Sequence, residues 1–367
     1  MNTWYYLSEL LKNSAYFCWT CFSVFILLGL IAQMYKPKRG REKAENVEVV
    51  IVSIANSKVK KALFECIAHT KKTLNVPIWI LVDEGSELIP ELIGLNLVIV
   101  PKDYRRDLVG KGRAMNFFIE TKVEGRKWYT FVDDDNLVHD DGFLFEIPGY
   151  DEKGYVAMNP VLYPRRGKSD ISYVMDSIRY FDDLFIFRFF TGLLKTPLIG
   201  LHGELLTVKG EVLKEIGYDN RSLTEDFRFA SELVRRGYKT WQSSTKVCIK
   251  SPNSVKDFLK QRGRWFKGIM DDWKYCPVTM KIVVASRLVM GALGIFGSWA
   301  FLPLWFMWGP LWCAIPGGLY CWMVYIYGII KLKKPHYLLA IPLIGAIEAM
   351  AFYAGLKQKT FVVIDKN

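Results

Sequence analysis

Three consecutive carboxylates, Asp133, Asp134 and Asp135, close the apolar run that starts at Tyr129 (YTFVDDDNLV). The β-branched and aromatic residues ahead of them predict a buried strand, so negative charge collects where that strand emerges into a loop. Such a cluster is stable only beside a cation. Mg2+ or Mn2+ fits, because these ions take one or two carboxylates from a protein and fill their other positions with substrate phosphates. Side chains alternate along a strand, so Asp133 and Asp135 share one side and can share a ligand, while Asp134 takes the other. The strand end reads as a site for a phosphate-bearing substrate, and a solvated acidic turn is the simpler alternative.

Three further stretches carry chemistry-bearing residues. Val109 to Asn116 (VGKGRAMN) sets Gly110 and Gly112 around Lys111 at a predicted helix start, which can bring backbone N–H groups and an ammonium to a phosphate. It has neither the spacing nor the Ser/Thr of a P-loop. In Ser222 to Ala230 (SLTEDFRFA), Thr224 is expected to cap a helix whose first turn holds Glu225 and Asp226, with Phe229, Leu233 and Val234 on the buried side. Acidic residues in a first turn already oppose the helix dipole, so chemistry there needs independent support. Ser254 to Met270 supplies it: an apolar stripe of helical period, a capping-box-like Ser254 and Asp257, and Gln261, Arg264 and Trp265 three and four apart. A guanidinium suits a diphosphate, and an indole suits a sugar face.

Positioning these groups requires a sheet. Val47 to Ile54, Ile78 to Val82 and Leu97 to Val100 are short, fully apolar runs. The first is followed by an amphipathic helix, Lys58 to Thr73, with Val59, Leu63, Cys66, Ile67 and Thr70 on one face. This alternation predicts an α/β fold with a mostly parallel sheet covered on both faces, in which ligands bind at the carboxyl ends of strands. Asn56, Asp83 with Glu84 to Ser86, and the Asp133 cluster lie at such ends.

Within 367 residues there is room for two domains, and the distribution of the 51% apolar residues shows what the second is. Ala15 to Met34 is uncharged over the length that crosses a bilayer; Leu288 to Ile330 is uncharged, and Tyr337 to Leu356 carries only Glu348. These runs mark an integral membrane protein. The first segment, without a small-x-small pattern after it, is expected to be an uncleaved anchor. Lys36, Lys38, Arg39, Arg41 and Lys43 follow it against one Glu42, which places residues 45 to about 280 in the cytosol. The expected layout is an anchor and basic segment over 1–44, a catalytic domain over 45–276 ending in an interfacial helix at 254–270, membrane helices over 277–356 and a tail over 357–367.

A net charge of +12 raises a nucleic-acid reading, but no zinc-finger, RRM or helix-turn-helix pattern accompanies it, and the basic run faces anionic lipid. Cys18 and Cys21 form a CxxC inside the membrane segment, and none of the seven cysteines has ligand spacing, so all are expected reduced.

In order and spacing, Asp83, Asp133-x-Asp135, Thr224-Glu225-Asp226 and Gln261-Arg262-Gly263-Arg264-Trp265 resemble the inverting family-2 glycosyltransferases of the membrane-integrated cellulose-synthase and hyaluronan-synthase type. Gly217-Tyr218-Asp219, Ser222 to Asp226, Lys250-Ser251-Pro252 and Asp257-Phe258-Leu259 are more closely similar to the egghead-type β-mannosyltransferases and archaeal relatives acting on lipid-linked glycans. The resemblance spans roughly Val47 to Met270. It implies a GT-A (Rossmann-like) domain, a divalent cation, GDP-mannose as donor and a lipid-linked sugar as acceptor at the cytosolic face, in glycolipid or N-glycan precursor assembly. Carried over, Asp226 is the general base, Asp135 with Asp133 holds the metal, and Asn56, Asp83, Lys111, Asp133, Asp134, Gln261, Arg264 and Trp265 meet the donor. His202, Glu204, Glu225 and Trp265 meet the acceptor. Phe361 to Lys366 resembles the family's FxVTxK gating loop, with Ile364 where Thr is usual.

A cytosolic gating tail requires an even number of spans after the catalytic domain, whereas the stretches near 285–308, 309–330 and 337–356 number three, so one is expected to be interfacial or re-entrant. The alternative function is a processive polysaccharide synthase using a UDP-sugar; a polymer channel normally needs more helices than this chain offers. A transporter would show internal repeats and several charges within its spans, and apart from Glu348 neither is present.

Overall fold

The structure, a computed structural model, describes residues 3–298 and 312–358. The expected gating segment at Phe361 to Lys366 lies outside the described residues.

An eight-stranded sheet has the order β3-β2-β1-β4-β7-β6-β8-β5. Its parallel half is β1 (Val47–Val52), β2 (Ile78–Asp83), β3 (Asn96–Val100) and β4 (Trp128–Asp133). β5 (Leu137–Val138), β6 (Tyr155–Arg165), β7 (Leu206–Lys209) and β8 (Lys239–Lys250) complete it, with antiparallel pairing at β4 with β7, β6 with β7 and β5 with β8. Alternate strand residues feed two cores. Val49, Ile51, Ile80 and Val82 pack on Leu63 and Cys66 of α2 (Lys60–Leu74), and Val50, Leu81 and Val98 pack on Met115 and Phe118 of the helix Lys111–Lys122. A sheet buried on both faces is why these strands read as unbroken apolar runs.

β1 lies between β2 and β4, and the chain leaves β1 in one direction and returns on the other side, with Val52 opposite Asp133. This reversal opens a crevice beyond the strand ends, so topology alone delivers the acidic cluster to a binding position.

In chain order the named helices are α1 (Thr3–Ile31), α2, α3 (Ile89–Leu92), α4 (Lys111–Lys122), α5 (Gly142–Asp151), α6 (Asp170–Asp182), α7 (Gly210–Ile216), α8 (Glu225–Arg235), α9 (Val255–Asp272), α10 (Val278–Gly297), α11 (Ala314–Leu332) and α12 (Ile341–Leu356). A π-helical turn run, Asp183–Leu193, extends α6 and was not legible in the sequence. Four helical segments among the described residues are long and apolar enough to cross a membrane: Thr3–Met34, Val278–Phe296, Ala314–Leu332 and Pro335–Leu356. The first begins well before Ala15, because the uncharged stretch is only the C-terminal part of a longer helix. Val278, Ile282, Leu319, Ile330 and Leu339 stand exposed on their outer surfaces, as lipid-facing residues do.

The amphipathic α9 joins the two layers. At Gly263 an added Cβ would come 2.9 Å from Gly355 N on α12, and at Gly268 one would come 2.5 Å from Thr224 Oγ1. Neither position has room for a side chain. Ser254 starts α9 as expected, accepting from Asp257 N at 3.1 Å and donating to Asp257 Oδ2 at 2.7 Å. The cap expected from Thr224 is not formed: its hydroxyl makes no cap hydrogen bond and is buried without a partner, because Gly268 packs directly on it.

Candidate active site

A cavity of about 810 Å3 opens where β1 and β4 end and runs on between the membrane helices. Asp83, Lys111, Asp133, Asp134, Asp135, His202, Glu204, Glu225, Asp226, Gln261, Arg264 and Trp265 all line it, so residues up to 182 positions apart meet in one space. Asn56 does not. Its Oδ1 accepts from Lys58 N at 3.1 Å in the turn leading to α2, an Asx turn that uses up the amide carbonyl. Ser53 and Ile54 take the position at the cavity wall that was assigned to it.

At the centre the Lys111 ammonium lies 2.8 Å from Asp133 Oδ1 and 3.4 Å from Glu225 Oε1. Burial opposes its charge, yet Asp133, Glu225, Asp226 and Glu204 outweigh it and raise its pKa well above the usual lysine value. The glycines around Lys111 thus start α4, with Gly110 at φ 64°, and aim the ammonium at the strand end. Asp134, in the turn after β4, is committed to the wall itself: Ser53 Oγ donates to its Oδ2 at 2.6 Å, and Ser53 accepts from Ala55 N at 2.9 Å. Asp135 is buried beside it.

Asp226 is held by backbone. Gly203 N donates to Oδ2 and Phe227 N donates to Oδ1, each at 2.8 Å. Its pKa is pushed up to about 6, first by burial and then by Glu225, with Lys111 pulling the other way. A carboxylate with that pKa is ionised near neutrality and still basic enough to take a proton.

His202 and Glu204 are already partnered. His202 Nε2 meets Asp183 Oδ1 at 2.6 Å, and Arg179 Nη2 donates to Glu204 Oε1 at 2.6 Å. Burial works against the Glu204 charge, but Arg179, His202 and Lys111 hold its pKa well below the carboxylate range. Glu204 is therefore a fixed anion and Asp226 the carboxylate free to change its protonation state.

From α9, Arg264 Nη1 donates to Leu223 O at 2.8 Å and Asp272 accepts from Ser222 Oγ at 2.5 Å, so the helix grips the turn that leads to Asp226. Gln261 Oε1 is buried in the cavity wall with no hydrogen-bond partner among the described residues. Trp265 does not present a bare ring: the guanidiniums of Arg179 and Arg262 lie over it, 4.7 and 4.4 Å from its centre. Arg179, Arg262 and Arg113, which pairs with Asp83 at 2.6 Å, are site residues that sequence reasoning passed over. Arg113 was visible inside the glycine-lysine motif. Arg179 had no local signal, because its partners come from 25 and 86 residues away.

The donor set suits one kind of ion. Among the described residues no group of three or more His, Cys, Asp or Glu is arranged to hold a metal. Asp133 and Asp135 at the cavity wall match in type and number the one or two carboxylates that Mg2+ or Mn2+ takes from protein when phosphates complete its shell.

The chain is similar to known glycosyltransferases. The beta-1,4-mannosyltransferase bre-3 of Caenorhabditis briggsae is 24% identical over 270 residues, covering 71% of this chain and 55% of that protein. The beta-1,4-mannosyltransferase egh of Drosophila melanogaster is 25% identical over 217 residues, 56% of this chain and 46% of that protein. The chain spans about half the length of the curated relatives it matches. Among solved structures, the mannosyltransferase PcManGT of Pyrobaculum calidifontis, in complex with GDP-Man and Mn2+, has a TM-score of 0.58 at 15% identity, covering 95% of this chain and 99% of that chain. That likeness is one of fold, the GT-A type with added membrane helices. The family profile "Glycosyl transferase family group 2" matches residues 128–353, from the first residue of β4 into α12. A match over that stretch takes in most of the cavity wall, and the chain belongs to glycosyl transferase family group 2.

Proposed function

We propose that the chain is a metal-dependent, inverting mannosyltransferase that moves mannose from GDP-mannose to a lipid-linked sugar. The observation that carries this reading is the division of labour among carboxylates in one cavity: Asp133 and Asp135 stand at the strand end, while Asp226 is held apart by Gly203 N–H and Phe227 N–H with its pKa pushed up to about 6. The relatives named beta-1,4-mannosyltransferases and the GDP-Man and Mn2+ bound to the archaeal neighbour support the choice of donor and ion.

Asp226 accepts the proton of the acceptor hydroxyl as its oxygen bonds to the anomeric carbon, and the bond from that carbon to the diphosphate breaks, releasing GDP. Lys111 lies where it can face the departing negative charge, and Arg113 fixes Asp83 for the nucleoside. A divalent ion held by Asp133 and Asp135 supplies further neutralisation of the diphosphate when bound. Catalysis takes place on the cytosolic side, following the basic run Lys36 to Lys43.

The test uses purified full-length protein with Mn2+. GDP-mannose is expected to raise its Tm by mass action, EDTA is expected to abolish the rise, and transfer to a lipid-borne sugar is expected to need the ion. Stabilisation by UDP-sugars and not by GDP-mannose would overturn the donor assignment in favour of a synthase.

A further inference from the structure

The peptide that holds the base is itself held. Residues 200–205 lead into β7 with no helix or strand of their own, and they turn sharply at both ends, with Gly200 at φ 102° and Leu205 at φ 57°. The direction of the Gly203 N–H within such a segment depends on what grips it.

β6 supplies the grip, because it runs on past its pairing with β7, which covers Ala157 and Met158. Beyond that pairing Asn159 Oδ1 accepts from His202 N at 2.8 Å, and Leu162 N donates to Oδ2 of Asp183, which opens the π-helical run, at 2.7 Å. The other carboxylate oxygen, Asp183 Oδ1, meets His202 Nε2 at 2.6 Å, and the Phe187 ring lies against the imidazole with 4.2 Å between centres. Asn159 in turn donates to Gln242 Oε1 at 2.9 Å. Asn159, Asp183 and Gln242 are fully buried, so none of them reaches a substrate. His202 is thus clamped at its backbone N and at its ring, and the next N–H in the chain, that of Gly203, donates to Asp226 Oδ2 from 2.8 Å. A Cβ at Gly203 would run into the Lys111 ammonium, so the backbone comes this close only with glycine there.

We propose that Asp183, His202 and Asn159 are positioning residues for the base: they orient the Gly203 N–H that holds Asp226, and the imidazole serves this clamp and not the acceptor. The proposal rests on the transferase reading and deepens it. A hydrogen bond to the ionised carboxylate favours the charged form, so a slackened Gly203 N–H raises the pH at which Asp226 ionises. Lys111, Glu225, Glu204 and the Tyr218 phenol also face Asp226, and Arg179, Asp182 and Arg188 also face Asp183; all of them stay in place in the variants below.

Full-length protein in lipid nanodiscs with Mn2+ is assayed for GDP release from GDP-mannose with water as the nucleophile, so that loss of an acceptor contact is silent. His202→Leu is expected to lower kcat about tenfold and to move the midpoint of the pH–rate profile upward, with the KM for GDP-mannose and the GDP-mannose-induced rise in Tm unchanged. His202→Gln, whose amide can donate to Asp183, is expected to restore both kcat and midpoint. An unchanged kcat in His202→Leu would overturn the proposal. So would an unmoved midpoint, because a merely structural role lowers the active fraction without moving it, and so would His202→Gln behaving as His202→Leu does, because the charge of the imidazole would then matter and not its hydrogen bond. If His202→Leu fails to fold, His202→Ala, which opens space instead of filling it, is read in its place. Absence of both GDP release and GDP-mannose-induced stabilisation in the wild type is a different failure, that of the transferase reading itself.

Discussion

Replacing Asp226 with Asn separates the chemical from the structural role of this carboxylate. With its pKa raised from 3.8 to about 6, the ionised side chain costs the folded protein about 2 kcal/mol, allowing for water that reaches the cavity wall. The sign follows from the direction. A carboxyl with a raised folded-state pKa favours the folded protein below about pH 4, and that contribution is lost as pH climbs through about 6. At pH 7.5 the wild type carries the whole cost and Asp226→Asn carries no charge; its amide oxygen still accepts from Gly203 N, while the NH2 group cannot accept from Phe227 N, so part of the gain is offset. The variant should therefore melt a few degrees higher at pH 7.5, and the difference should vanish near pH 4. Transfer should fall by about 100- to 10,000-fold, the usual effect of removing a general base, while GDP-mannose still stabilises the protein. Wild-type kcat/KM should rise through about pH 6 and level off above it. Thermal melts across pH and a radiolabelled-mannose transfer assay read both effects. A variant that melts lower at pH 7.5 than at pH 4 relative to wild type, or one that keeps turnover, refutes the assignment.

Two further outcomes follow from the same contacts. Lys111→Met removes the cation nearest Asp133, Glu225 and Asp226, so the Asp226 carboxyl loses its counter-charge and the midpoint of the pH–rate profile should move above the wild-type value; an unmoved midpoint would show that Lys111 does not act on the base. Gly263→Ala drives a methyl to 2.9 Å from the α12 backbone at Gly355 N and should cost about 1–3 kcal/mol, measured as a lower Tm, while Gly149→Ala, where a Cβ meets nothing within 4 Å, should be close to neutral.

The strands over Val47, Ile78 and Leu97 were legible because a sheet covered on both faces leaves no choice but apolar residues at every position. The strand-end acidic cluster, Asp226 and the Gln261 to Trp265 face were legible for a related reason: each is a local pattern, of alternation or of helical period, that survives without knowledge of its neighbours. Thr224 was misread because a second element intervened, and Asn56 because a local turn claims its amide. Gly268 presses on the hydroxyl that should have capped α8, and the Asn56 carbonyl is taken by Lys58 N. Sequence alone therefore determined which residue types stand at the ends of which elements, and the presence of membrane helices. Only the tertiary structure decided how charges pair across the cavity: that Glu204 is a fixed anion against Arg179, that Asp226 faces Lys111, and that Arg262 meets Asp176. The physical reason is that an electrostatic environment is a sum over distances of a few ångströms, and here the groups inside those distances come from helices and loops 25 to 115 residues apart in the chain.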